Sequence, residues 1–231
     1  MEISPVATYH CDLDGKFGLP RQAGLAPSLR GVVELVPEYR NPESLRGLDG
    51  FDWCHLIWGF SLNDADPHRM TVRPPRLGGN ERVGVFASRS PFRPNGLGLS
   101  SVRIEGIDTA KGLIFVSGAD LADGTPVYDI KPYVEYCDAH TGIRSGFVDA
   151  NAWKPLEVVF EDSAAEALEE AQLDDSQIRG LAEILAQDPR PQYHSDPERV
   201  YTLSYCGFEV SWRVAGNTAF VVAAEASHTI A

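Results

Sequence analysis

The sequence predicts a mainly β protein, a barrel or compact sandwich followed by a small α+β unit, and three observations carry that reading. Short β-branched and apolar runs recur between Gly, Pro and Asp turns from Leu29 to Val134. No helical pattern of ~10–15 residues separates them, which argues against a doubly wound parallel sheet. The pattern then changes after about Trp153, where two helical runs precede a further set of alternating segments.

Taken in order, Leu29–Val36 (LRGVVELV) reads as a strand that ends at Pro37, a residue with no N–H for a ladder. Pro42–Arg46 suits a turn of helix. Phe51–Phe60 (FDWCHLIWGF) is heavily apolar and predicts a strand buried on both faces. Val83–Ala87 predicts a short buried strand between two Gly/Pro clusters. Ser101–Ile107 alternates, with Val102 and Ile104 on one face and Arg103, Glu105 and Ile107 on the other. The Lys111-Gly112 turn then makes it a hairpin with Leu113–Val116. A loop over Gly118–Pro126 leads into Val127–Val134.

Beyond the change of pattern, Ser163 with Glu166 three residues on is a capping-box signal, and it opens an Ala/Glu-rich helix to Leu173. A second helix from about Asp175 to Gln187 puts Ile178, Leu181, Ile184 and Leu185 on one face. Asp188-Pro189-Arg190-Pro191 stops it. Val200–Tyr205, Phe208–Val214 and Ala219–Ala224 then form a predicted meander with turns at Cys206-Gly207 and Gly216-Asn217. A domain boundary falls near residues 155–160.

Composition narrows the class. With 43% hydrophobic and 23% charged residues the chain is an ordinary globular protein. It has no apolar run approaching the ~20 residues of a membrane span, and its start lacks the basic and apolar regions of a signal peptide. A cytoplasmic protein without a membrane is expected. Cys11, Cys54, Cys137 and Cys206 form no CxxC pair and the histidines no HExxH, so no metal is expected and the thiols are read as buried and structural.

A net charge of -13 disfavours nonspecific attraction to nucleic acid, yet the charge is polarised. Residues 161–178 hold seven acids and no Lys or Arg, a solvated helix face, whereas residues 69–93 hold six arginines against Glu81. Arg73, Arg76, Arg82, Arg89 and Arg93 stand among the glycines and prolines of Thr71–Ser101. Such residues build stiff loops that position ligands, and the planar arginine fork matches carboxylates and phosphates. This stretch expects an anion.

Several blocks are more specific. FGLPRQAGL (Phe17–Leu25), RPPRLGGN (Arg73–Asn80), VFASRSPFRPNGLGLS (Val85–Ser100), LADGTPVYDIKPYV (Leu121–Val134) and AQDPRPQYH (Ala186–His194) resemble, in this order, the TrmO/YaeB/TsaA family. The resemblance implies an S-adenosylmethionine-dependent tRNA methyltransferase that acts on N6 of threonylcarbamoyladenosine beside the anticodon of threonine tRNA. It also implies a β-barrel cofactor domain over residues 1–157, a small α+β domain over residues 158–231, and a homodimer.

The implied cofactor pocket draws on Pro20, Arg21 and Gln22, on Asn63 and Asp64, on Arg89 and Leu97, and on Leu121, Ala122, Asp123 and Gly124. Arg21 and Arg89 are candidate partners of a carboxylate or phosphate, Leu97 and Phe92 apolar walls, and the Gly124 turn a close backbone approach. Arg93, Asp188, Arg190 and Tyr193 are the implied substrate contacts, arginine for phosphate or the threonyl carboxylate and tyrosine for stacking. No residue is assigned as general base. This chain departs from the family at Gly96-Leu97, where many members read Pro-Ile, and at Asn63-Asp64, where the bacterial pattern has His-Gln. Two rival functions use the same loops: a non-catalytic RNA- or nucleotide-binding module, and an S-adenosylmethionine-dependent enzyme acting on another small substrate.

Overall fold

The computed structural model describes the chain except for residues 1, 16, 64, 65, 67, 75–80, 152, 153, 192–195 and 228–231. Strands β1 (Ala7–Cys11), β3 (Arg30–Leu35), β4 (Trp53–Gly59), β7 (Leu97–Asp108), β8 (Leu113–Ser117) and β9 (Thr125–Pro132) form a closed barrel in the order β1-β3-β8-β7-β4-β9. Every neighbouring pair is antiparallel. The barrel prevails over the sandwich because β9 pairs with both β1 and β4, so no edge is left open. Its core is made by Ala7, Tyr9, Val33, Leu56, Val102, Ile114, Leu121 and Val127, all fully buried.

Closure corrects the expectation that Phe51–Phe60 is buried on both faces. In β4 burial alternates, Cys54, Leu56 and Trp58 pointing inward while Trp53 is 39% exposed and His55 and Ile57 are half-buried. A barrel strand has one face to the core and one to the outside. The alternation expected along Ser101–Ile107 fails for a local reason. A bulge between Ile104 and Gly106 shifts the register, and both Ile104 and Ile107 pack against the barrel core.

Val83–Ala87 is not a buried strand. Only Val83–Gly84 (β6) pairs, with Thr71–Val72 (β5), and the chain then turns through a single 3₁₀ turn at Val85–Ala87. The Ser88 hydroxyl and N–H both donate to the Val85 carbonyl, at 2.8 and 3.2 Å, and close that turn.

A second sheet is built from β10 (Glu157–Phe160), β11 (Tyr201–Tyr205), β12 (Phe208–Ala215), β13 (Thr218–Ala226) and β2 (Leu13–Asp14), in the order β10-β13-β12-β11-β2. The meander β11-β12-β13 matches the sequence expectation. Four strands, β1, β2, β5 and β10, were not anticipated: β2 and β5 have only two residues each, and β10 pairs parallel to β13 across a long chain separation. The alternation of Ala7, Tyr9 and Cys11 is the one trace of β1 in the sequence.

Helices α3 (Asp162–Glu170) and α4 (Asp175–Ala186) pack on this sheet. Leu168, Leu181, Ile184 and Leu185 meet Val210, Trp212 and Val221 in a common core. Each such aliphatic side chain stabilises the fold by ~1.5–3 kcal/mol. Ser163 makes no capping box, because its hydroxyl donates to the Val222 carbonyl of β13 at 3.3 Å. The box forms instead at Asp174 and Gln177, at the start of α4. Single helical turns α1 (Glu135–Asp138) and α2 (Phe147–Ala150) bridge the barrel and β10.

The cysteines are free, and one of them departs from expectation, since Cys137 is exposed. Burial pushes the Cys11 thiol up to about 11 and the Cys54 and Cys206 thiols up to about 12, so these three are poor nucleophiles at neutral pH.

Candidate functional site

Strand directions place the candidate residues together. In the antiparallel barrel, the C-terminal ends of β1, β4 and β8 share one rim with the N-terminal ends of β3, β7 and β9. Three connections leave from that rim: residues 12–29, residues 60–96 and residues 118–124. They carry Pro20–Gln22, then Asn63 and Arg89, then Leu121–Gly124. Asp64, which stands beside Asn63 in the sequence, lies outside the described residues.

Hydrogen bonds lock the three connections to one another. Gly24 N–H donates to the Gly118 carbonyl at 2.8 Å, and the Ser61 and Thr125 hydroxyls lie 3.4 Å apart. Arg89 Nη1 donates to Gln22 Oε1. Arg21 Nη2 donates to the Asp188 carbonyl at 3.2 Å, and Gln187 Nε2 to the Leu25 carbonyl at 3.0 Å. The end of α4 is thereby fastened to the Pro20–Leu25 loop. Asp188 takes a left-handed φ of 50° and holds Arg190 with both carboxylate oxygens, at 2.7 and 2.9 Å. Two anticipated substrate residues therefore form one ion pair beside Arg21, and Arg190 is only 15% exposed. Tyr193 lies outside the described residues.

The sequence reading did not single out Asp120, which anchors the inner end of this arrangement. Its Oδ1 accepts from the Ser100 hydroxyl, and the Ser100 oxygen in turn accepts from Trp58 Nε1 at 2.9 Å. The Trp58 ring occupies the space over Gly98, where a Cβ would meet the indole at 2.4 Å. Burial raises the Asp120 carboxyl above its ordinary value, opposed by the Ser100 hydroxyl, the Ala23 N–H and the positive charge of Arg89. The sequence carries one signal for it, an acid set between the apolar Ala119 and Leu121.

The folded protein holds the Asp120 proton more tightly than the unfolded chain, so stability falls as pH rises from the ordinary carboxylate value through the raised one. Asp120→Asn is expected to be more stable than the parent at neutral pH, with the advantage shrinking toward zero on acidification. Thermal melts of both proteins across that range check it, and an advantage that grows at low pH would refute the assignment.

Other anticipated residues play different parts. Arg93 Nη1 donates to the Ser88 carbonyl at 3.1 Å and braces its own loop. Asp123 accepts from the Cys11 N–H at 3.2 Å and pairs with His10 at 3.1 Å. Pro20, Leu121 and Ala122 are buried, Leu121 within the barrel core, so these offer backbone rather than side chain. Leu97, half-buried, opens β7 opposite Gly59. Gly124 takes a φ of 73°, and no atom lies within 4 Å of where its Cβ would be, so its backbone is open to close approach. A cavity of about 710 Å³ is lined by His10, Arg30, Glu105, Phe115 and Ser176 among others, and reaches the first rim connection at Asp12, Pro27 and Ser28. Arg30 there is already paired with Asp174 at 2.7 Å.

Two family models cover most of the chain: tRNA-methyltransferase O N-terminal domain matches residues 8–139, and TrmO C-terminal domain matches residues 153–227. The chain belongs to the TrmO family. A putative S-adenosylmethionine-dependent methyltransferase of Pseudomonas aeruginosa, RcsF, is 42% identical over 91% of this chain and 91% of its own length. A tRNA (adenine(37)-N6)-methyltransferase of Escherichia coli is 36% identical over 86% of this chain and 87% of its own. The crystal structure of TrmO from P. aeruginosa superposes with a TM-score of 0.81 at 33% identity, covering 98% of this chain and 97% of that one. Within the TrmO frame, Gly96 adopts a φ of 58°, a conformation closed to proline. The turn that feeds β7 is therefore one that a Pro-Ile version of the loop cannot make.

Proposed function

We propose that this protein is an S-adenosylmethionine-dependent tRNA (adenine-N6) methyltransferase, acting on threonylcarbamoyladenosine beside the anticodon of threonine tRNA. The observation that carries the reading is the joining of Arg89, Gln22, Arg21 and Asp188 across two of the rim connections and the end of α4, in a chain whose E. coli relative bears that activity's name. The donors fit the cofactor. A planar Arg89 fork suits its carboxylate, and the open Gly124 backbone suits a flat ring approached edge-on.

When bound, S-adenosylmethionine supplies an electrophilic methyl group on a sulfonium. The work of the protein is then to hold the nucleophilic N6 in line with it. Arg21 and Arg89 bind the anionic end of the cofactor, Leu97 and Phe92 form apolar walls, and Leu121–Gly124 presents backbone groups. Asn63 and Asp64 offer polar groups to the ribose or the amino group. Gln22 holds the Arg89 guanidinium, whose positive charge favours the ionised form of Asp120. Arg93, Arg190 and Tyr193 face the RNA, with a phosphate or the threonyl carboxylate competing for Arg190 against Asp188. Residues 1–157 act as the cofactor unit and residues 158–231 as the smaller unit, and the protein works as a cytoplasmic homodimer without a metal.

The test is transfer of labelled methyl from S-adenosylmethionine to tRNA, followed by nucleoside digestion. Label is expected in N6-methylated threonylcarbamoyladenosine, with none in tRNA that lacks the threonylcarbamoyl group. Equal labelling of both RNAs removes the substrate reading and leaves the enzyme class. Absence of S-adenosylmethionine binding removes the class.

A further inference from the structure

Two apolar side chains near this site have no core to enter. Phe86 is 78% exposed and Met70 71%, and among the described large apolar residues only Tyr136 is more open to solvent. Their backbones are adjacent, since the N–H of Val85, the residue before Phe86, donates to the Met70 carbonyl at 3.0 Å. The hairpin β5-β6 that carries them is braced against the Arg89 loop. The Arg69 guanidinium lies 4.7 Å from the centroid of the Phe92 ring, and Arg93 holds the Ser88 carbonyl. Phe86 thus stands three residues from Arg89, on a turn closed by two hydrogen bonds to Val85.

The surroundings favour a polyanion over an apolar partner. Arg73 and Arg82 are exposed on the same hairpin, Arg82 donating to the Thr71 hydroxyl at 3.3 Å. Residues 69–93 hold six arginines and one acid inside a chain of net charge -13. Phe, Met and Arg are enriched at protein interfaces too, so these side chains alone do not choose the partner, and the excess of six arginines over one acid does. Single-stranded nucleic acid rewards this combination, arginines tracking the phosphates while a rigid aromatic face receives an unstacked base.

We propose that Phe86, with Met70 beside it in the hairpin, is a stacking platform for an unpaired anticodon-loop base next to the nucleotide being methylated. This rests on the tRNA methyltransferase reading. Because the ring is already exposed on a hydrogen-bonded turn, the base is received without rearrangement of the Arg89 loop, and cofactor binding is independent of it.

The experiment uses the full chain with Phe86→Ala, Phe86→Leu and Phe86→Trp, a synthetic anticodon stem-loop RNA, and the same stem closed as an uninterrupted duplex. Phe86→Ala and Phe86→Leu are expected to weaken stem-loop binding roughly tenfold, the order of one base stack. Affinity for S-adenosylmethionine should not change. Phe86→Trp should keep the RNA affinity, and its fluorescence should be quenched by the stem-loop, beyond the wild-type response, but not by the duplex. Parent-like RNA binding by Phe86→Ala overturns the proposal. So does weakened S-adenosylmethionine binding, or a changed oligomeric state, which would show the ring packing on cofactor or on a second copy. If the parent methylates tRNA and Phe86→Ala is silent, only the platform falls; if the parent neither binds nor methylates tRNA, the functional reading falls with it.

Discussion

Arg89→Ala is expected to weaken S-adenosylmethionine binding by at least roughly a hundredfold, about 3 kcal/mol, the order for removing one partner of a charge pair that the bound cofactor covers from water. Arg89 reaches across the rim to Gln22 and lends positive charge to Asp120. Its loss removes the fork for the cofactor's carboxylate and leaves Asp120 with less support for its ionised form. Arg89→Lys should fall between parent and alanine variant, because a point charge keeps the attraction and loses the bidentate geometry. Thermal stability should barely move, since the Arg89 side chain is exposed and contributes no core contact. Titration calorimetry on the three proteins decides it. Undiminished affinity in Arg89→Ala would falsify the placement of the carboxylate.

The second large effect is on the fold. Trp58→Ala is expected to destabilise the protein by ~3–5 kcal/mol, the usual cost of emptying a large aromatic site in a core. The indole fills the barrel interior over Gly98, meets Phe60 edge-on with centroids 4.4 Å apart, and donates to Ser100. Removing it opens a cavity and also releases the Ser100 hydroxyl that steadies Asp120. Cofactor affinity should therefore fall together with stability, which distinguishes Trp58 from a merely structural tryptophan. Trp212, fully buried in the second core, is the control: Trp212→Ala should destabilise without weakening binding in the protein that remains folded. Urea denaturation and calorimetry on both variants test the pair. A loss below about 1 kcal/mol for Trp58→Ala would mean that the barrel collapses around the vacancy.

Much of this was open to inspection in the sequence because it depends on neighbours along the chain. The meander β11-β12-β13 was legible since alternation and turn chemistry act over a few residues, and α4 since Leu181, Ile184 and Leu185 recur on one helical face. The candidate site was legible chiefly as blocks of residue types: an arginine-rich Gly/Pro stretch, Pro20-Arg21-Gln22, and Asp188-Pro189-Arg190. What misled was also local. Ser163 carries the signature of a capping box, but the carbonyl of Val222 on β13 competes for its hydroxyl. Val83–Ala87 has strand-forming residues and only a two-residue partner strand to pair with.

The sequence by itself determined a mainly β chain with a small helical unit near its end, a polarised charge distribution and a family, because composition, periodicity and ordered motifs are properties of short segments. Only the tertiary structure decided that β9 closes on β1, and hence that three connections from separate parts of the chain meet at one rim. It alone decided that Asp120, not singled out before, lies half-buried against Ser100 and feels the charge of Arg89, and that Asp188 occupies Arg190. The physical reason is the same in each case. Strand pairing, desolvation and ion pairing depend on groups far apart in sequence, and their energies are defined only once the barrel has brought those groups together.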